Sequence, residues 1–116
     1  IEAIINDSNL EEEAVNVPNN NLISILPKDI VVEVPGKINR SGISGVSLDN
    51  YPSNFGSLLN NQVGVIQLTT DAVINKSKHS AYLAMLSDPV VDNAKAAEKL
   101  LDTMLEIQKA YLGYLL

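Results

Sequence analysis

The sequence predicts an α+β fold: a small antiparallel sheet formed in the N-terminal half and covered by helices from the C-terminal half. Three observations carry this expectation. Segments rich in β-branched residues and punctuated by proline all precede Pro52. Apolar residues recur at helical spacing only after it, and the segment from Asp92 onward is plainly amphipathic. With 46% hydrophobic and 19% charged residues among 116, the chain can bury a core and lacks the composition of a disordered segment, so residues 1–116 are expected to form one domain.

Ile1-Glu2-Ala3-Ile4-Ile5-Asn6-Asp7 reads as an amphipathic helix entered in mid-course, and the absence of a starting Met points to a chain cut from something longer. Glu11-Glu12-Glu13 reads as a solvated face or turn, ahead of a short extended run from Ala14 to Val17 that Pro18 ends, because proline has no N–H for a sheet ladder. Asn19-Asn20-Asn21 marks a shaped turn, since asparagine tolerates left-handed angles and bonds its own main chain. Leu22 to Leu26 and Ile30 to Val34 read as strands separated by Pro27-Lys28-Asp29, with Pro35-Gly36 closing the second. From Lys37 to Pro52 the chain reads as loop with at most short strands.

Beyond Pro52, Phe55, Leu58, Leu59, Gln62, Val63 and Ile66 predict a helix capped by Ser53. Thr69 is expected to cap a second through Asn75, and Ser77 a third over Lys78 to Ser87. Asp88-Pro89 interrupts the chain. Asp92 is expected to cap the last helix, with Ala97, Leu100, Leu101, Met104, Tyr111, Leu112 and Leu115 facing a core or partner and Lys95, Glu98, Lys99, Asp102, Glu106 and Lys109 facing water.

Composition excludes several functions. The net charge is −6, the bases are scattered, and Arg40 is the only arginine, which argues against nucleic acid and anionic membrane surfaces. No apolar run reaches the ~20 residues of a membrane span. Cysteine is absent and no signal-like start is visible, so a reducing, cytoplasmic setting is expected and the Asn-x-Ser sequons at Asn6, Asn39 and Asn75 carry no weight.

Chemistry-bearing patterns are sparse. Gly42-Ile43-Ser44-Gly45 is far from a dinucleotide fingerprint, and His79, the only histidine, reads as a surface or half-buried side chain. Glu33, within Val31-Val32-Glu33-Val34-Pro35, has three open readings: a buried carboxylate with a structural partner, a pocket group, or an edge-strand residue facing water. Tyr82, Tyr111 and Tyr114 fall on helical faces as core or interface residues.

Particular strings say more. Asn16-Val17-Pro18-Asn19-Asn20-Asn21-Leu22-Ile23, then Leu26-Pro27 and Val31-Val32-Glu33-Val34-Pro35, resemble a stretch near the end of the family 4 glycoside hydrolases, the α-glucosidase, α-galactosidase and 6-phospho-glycosidase group. Asn39-Arg40-Ser41-Gly42, Tyr51-Pro52, Asn61-Gln62-Val63, Leu68-Thr69-Thr70-Asp71-Ala72 and Asp88-Pro89-Val90-Val91 follow in the family's order, so the resemblance covers nearly the whole chain. It departs at Asn21, where the family has Gly, an exchange tolerable if the position is left-handed, and at Ile25, where it often has Asn.

The resemblance implies a fold like the C-terminal domain of lactate and malate dehydrogenases. It also implies a parent that uses NAD and a divalent metal, usually manganese, to cleave glycosides through transient oxidation and elimination. The family's nucleotide fingerprint and metal ligands lie upstream, so no catalytic, cofactor or metal residue is assigned here, and the fragment alone is expected to bind neither NAD nor metal. Asn19, Asn20 and Asn21 are the candidate substrate-binding residues, as amides on a shaped turn that could read sugar hydroxyls; capping of the turn by its own amides is the competing reading. Expected partners are the sugar, the rest of the parent chain and further copies in a homo-oligomer. Two alternatives stand beside this: a stand-alone helical interaction or oligomerisation module, motivated by Tyr111-Leu112-Gly113-Tyr114-Leu115-Leu116, and the equivalent lobe of a 2-hydroxy-acid dehydrogenase, for which His79 sits in the wrong kind of segment.

Overall fold

A computed structural model describes all residues, 1–116. The element order is α1 (Glu2–Asn6), β1 (Leu10–Pro18), β2 (Val31–Asn39), β3 (Gly42–Gly45), α2 (Ser53–Ile74), α3 (Lys78–Ser87), α4 (Ala94–Ile107) and α5 (Lys109–Leu112), ending in a 3₁₀ turn, Gly113–Leu115. Strands come first and helices after, the α+β order the sequence predicts. The three strands form one antiparallel sheet in the order β1-β2-β3. The chain falls into two compact units, Ile1–Leu59 and Asn60–Leu116, with α2 running through the boundary.

In the first unit, the sheet has one dry and one wet face. Along β2, Val32, Val34 and Gly36 are buried while Val31, Glu33, Pro35 and Lys37 are exposed, the period-two pattern of a half-covered strand. β2 does not stop at Pro35-Gly36 as expected, and the register shows why. Glu12 pairs with Gly36 and Val15 with Val34, so Glu13 and Ala14 together stand opposite Pro35. Proline thus occupies the one place where a β-bulge leaves the ladder unpaired and no N–H is needed. Its carbonyl still accepts from the Val46 N–H at 2.7 Å. Gly36 is required by close approach, since a Cβ there would collide with Cγ2 of Val15.

β1 is longer than expected: Glu11 to Glu13 belong to it, exposed along an outer strand. There, charge hinders pairing with another chain. The stretch Lys37 to Pro52 contains the end of β2 and short β3, joined at Arg40 and Ser41, with Gly42 at φ 107 completing the turn.

Leu22 to Leu26 is not a strand. It is a run of turns, with Leu22 N–H bonded to Asn19 O at 2.6 Å and Leu26 N–H to Ile23 O at 3.1 Å. Ile23 and Leu26 are nevertheless buried, so the apolar residues serve the core from a loop.

The second unit has two further departures from expectation. The helices foreseen on either side of Thr69 are one, α2, because Thr69 and Thr70 return their hydroxyls to Val65 O and Ile66 O instead of capping. The cap of α4 is Asn93, whose Oδ1 accepts from Ala96 N–H at 2.9 Å, one residue after the expected Asp92. Ser77 caps α3 as foreseen, accepting from Ser80 N–H at 3.1 Å. Ala72, Ala84, Ala97, Leu105 and Leu115 are buried in this unit.

Candidate functional site

The segment between β1 and β2 is built around one side chain. Asn19 is fully buried at 0% exposure. Its Nδ2 donates to Ile23 O at 3.0 Å, Leu26 O at 3.1 Å and Pro27 O at 2.8 Å, and its Oδ1 accepts from Ile23 N–H at 2.8 Å. The main chain closes the same loop, with Asn19 N–H bonded to Ile30 O at 2.8 Å and Asn20 N–H to Lys28 O at 3.3 Å. An asparagine amide is suited to this work, because it offers two donors and an acceptor to backbone groups that would otherwise be buried unpaired. No buried side-chain polar atom is left without a partner.

The three candidate asparagines therefore separate. Asn19 is committed to the loop and presents no atom to a ligand, so it is withdrawn from the substrate-reading set. Asn20 and Asn21 turn the chain at φ 41 and φ 69, and both side chains are exposed. Left-handed geometry at Asn21 is the condition under which asparagine replaces glycine most readily. Ile25, on the same loop, packs its side chain over Gly56, where a Cβ would come within 2.6 Å of Ile25 Cγ2.

A second polar arrangement, not foreseen in the sequence, joins the start of the chain to the β2–β3 hairpin. Asp7 and Asn9 both have positive φ. Asp7 Oδ1 accepts from Arg40 N–H at 3.0 Å, Asn39 Nδ2 donates to Asn9 Oδ1 at 2.9 Å, and Asn39 Oδ1 accepts from Ser41 N–H at 2.9 Å. The only advance signal was the density of Asx residues near these turns.

The remaining sequence candidates stand apart. Glu33 pairs in register with Asn16 and is exposed, the water-facing reading of the three. His79 is exposed in the first turn of α3. Glu11 lies 3.8 Å from Lys37 Nζ, both largely exposed, a pair of little energetic weight. No three His, Asp or Glu side chains converge in a way that could hold a metal ion. Gly42–Gly45 forms β3 instead of a strand-to-helix phosphate turn. The residues present thus do not fit a nucleotide or metal site within this chain.

The second unit holds an open groove of about 470 Å³ with Val65, Ala72, Ala84, Leu101, Met104 and Leu105 in its walls. Thr69, Asp88 and Tyr114 are its only polar lining residues. A sugar site needs converging donors and acceptors, which this groove lacks.

Comparison with known proteins agrees with the sequence resemblance. The sequence profile of the family 4 glycosyl hydrolase C-terminal domain matches residues 1–91. An α-glucosidase of Erwinia rhapontici is 41% identical over 99% of this chain and 25% of its own length. A probable 6-phospho-β-glucosidase of Bacillus subtilis is 30% identical over 97% of this chain and 25% of its own. Among solved structures, a 6-phospho-α-glucosidase from gut microorganisms in complex with NAD and glucose-6-phosphate superposes with a TM-score of 0.86 at 32% identity, covering 96% of this chain and 25% of that one. A second 6-phospho-α-glucosidase, in complex with NAD and Mn²⁺, gives 0.85 at 28% identity. The chain spans about a quarter of the length of these relatives. The fold, the ordered motifs and the profile match together assign the chain to glycosyl hydrolase family 4, as the family's C-terminal domain.

Proposed function

We propose that this domain is the C-terminal lobe of a cytoplasmic glycosidase that hydrolyses O-glycosyl bonds with NAD and a divalent metal, manganese, through transient oxidation and elimination. The observation that carries the reading is near-complete superposition on a quarter of a 6-phospho-α-glucosidase complexed with NAD and glucose-6-phosphate. When bound, nucleotide and metal supply the redox and Lewis-acid chemistry. This chain's contribution is structural: it holds part of the sugar pocket in shape. No helix here is long and apolar enough to cross a membrane.

Within this reading, Asn19 is the positioning residue of the β1–β2 loop, and Asn20 and Asn21 are the groups that read sugar hydroxyls. A turn stiffened by a buried amide loses little entropy on binding, which suits a pocket wall. The test uses the intact protein that contains this domain, assayed on aryl glycosides with and without a 6-phosphate. Cleavage is expected only when NAD and Mn²⁺ are both supplied; cleavage without nucleotide overturns the reading. Asn20→Ala or Asn21→Ala is expected to raise KM about two- to tenfold, the value of one lost hydrogen bond. An unchanged KM in both variants removes the loop from the pocket.

A further inference from the structure

Helix α4 carries two apolar faces, and only one is covered within the chain. Ala97 and Leu105 are buried, with Leu101 half-buried between them. Beside them, Leu100, Met104 and Ile107, with Tyr111 on α5, are exposed at 53%, 43%, 68% and 79%. They recur at intervals of four, three and four residues, the spacing of a seam between two helices. The charged residues lie around the other side of the helix, where Lys78 meets Asp102 at 2.7 Å and Lys109 meets Glu106 at 3.7 Å. Next to the exposed stripe, helical spacing places Ala96, Thr103 and Ala110. The Thr103 hydroxyl is already bonded to Lys99 O at 2.8 Å, so this flank offers small, satisfied side chains that permit close approach.

We infer that the stripe Leu100-Met104-Ile107-Tyr111 is a subunit interface, and that its occupant is the same stripe of a second copy of this chain, running antiparallel across a two-fold axis. Three points select a copy over other partners. A four-three-four spacing reads identically in both directions, so a two-fold axis sets Leu100 against the partner's Tyr111 and Met104 against the partner's Ile107. The stripe has no charge by which a charged partner would be recognised. It also lies wholly beyond Val91, where the family-wide match ends, so the parent portion shared across the family does not need it as a packing surface.

The stripe is roughly 17 Å long at 1.5 Å per residue. That is a fraction of the roughly 800 Å² each partner gives to a standard interface, so it acts within the larger interface of the intact protein. The test therefore uses the intact protein and reads its mass by light scattering across concentration. Leu100→Lys and Tyr111→Glu should each weaken self-association at least tenfold. An equimolar mixture of the two variants should recover it, because the lysine introduced into one copy then faces the glutamate introduced into the other, while the opposite end keeps Leu100 against Tyr111. Wild-type protein that is monomeric at every concentration, variants that keep the wild-type mass, or a mixture that fails to recover overturns the inference. Glycoside cleavage is not a readout, so this result and the fate of the proposed activity are independent.

Discussion

Removing the Asn19 amide is the sharpest perturbation of the β1–β2 loop. Asn19→Ala leaves three buried or part-buried carbonyls, Ile23, Leu26 and Pro27, and the Ile23 N–H without their side-chain partner. The amide has two N–H bonds for three acceptors, so about three full hydrogen bonds are lost. Each is worth about 1 kcal/mol net, more where a buried group stays unpaired, and water can reach only the Pro27 end, giving a loss of about 3 kcal/mol. For a chain of this size that corresponds to a fall in Tm of roughly 10 °C. Thermal and urea unfolding of the 116-residue chain, followed by circular dichroism, measures it. Asn19→Asp should be at least as damaging, since it keeps the acceptor for Ile23 N–H but sets a carboxylate against three carbonyl oxygens. A loss below about 0.5 kcal/mol in Asn19→Ala would refute the claim that this side chain organises the loop.

Other outcomes follow from the same geometry. Asn93→Ala should cost about 1 kcal/mol through loss of the α4 cap, whereas Asp92→Ala should leave stability unchanged; equal effects in urea unfolding would contradict the cap assignment. Gly36→Ala should destabilise by about 1–3 kcal/mol, because its Cβ meets the Val15 side chain and comes within 3.2 Å of the Ser44 carbonyl oxygen. Gly64→Ala, inside α2 with nothing within 4 Å of the new Cβ, should stabilise by about 0.5–1 kcal/mol, read as a rise in Tm.

How much was legible in the sequence depended on whether a single local rule decided each element. Ser77 and the helix behind it were readable to the residue because a capping hydroxyl and helical spacing agree there. The separation of strands from helices was readable for the same reason. Leu22 to Leu26 was misread because apolar, β-branched composition marks burial and cannot distinguish a strand from a buried loop; the decisive residue was the asparagine before it. Pro35 was read as a strand end since the compensating bulge lies on the partner strand, around Glu13 and Ala14, distant in sequence. Thr69 was read as a cap because its alternative, bonding back to Val65, is available only once the helix continues. At the candidate site, residue type correctly marked a shaped turn but could not say which asparagine would point inward, since that depends on carbonyls as far along as Pro27.

The central claim is that this domain supplies shape to a reaction centre and no cofactor ligands of its own. Calorimetric titration of NAD and Mn²⁺ into the 116-residue chain, beside the intact protein, tests this most directly. The account predicts saturable binding of both by the intact protein and of neither by the chain alone. Saturable NAD binding by the isolated chain, with affinity matching the intact protein, would contradict it.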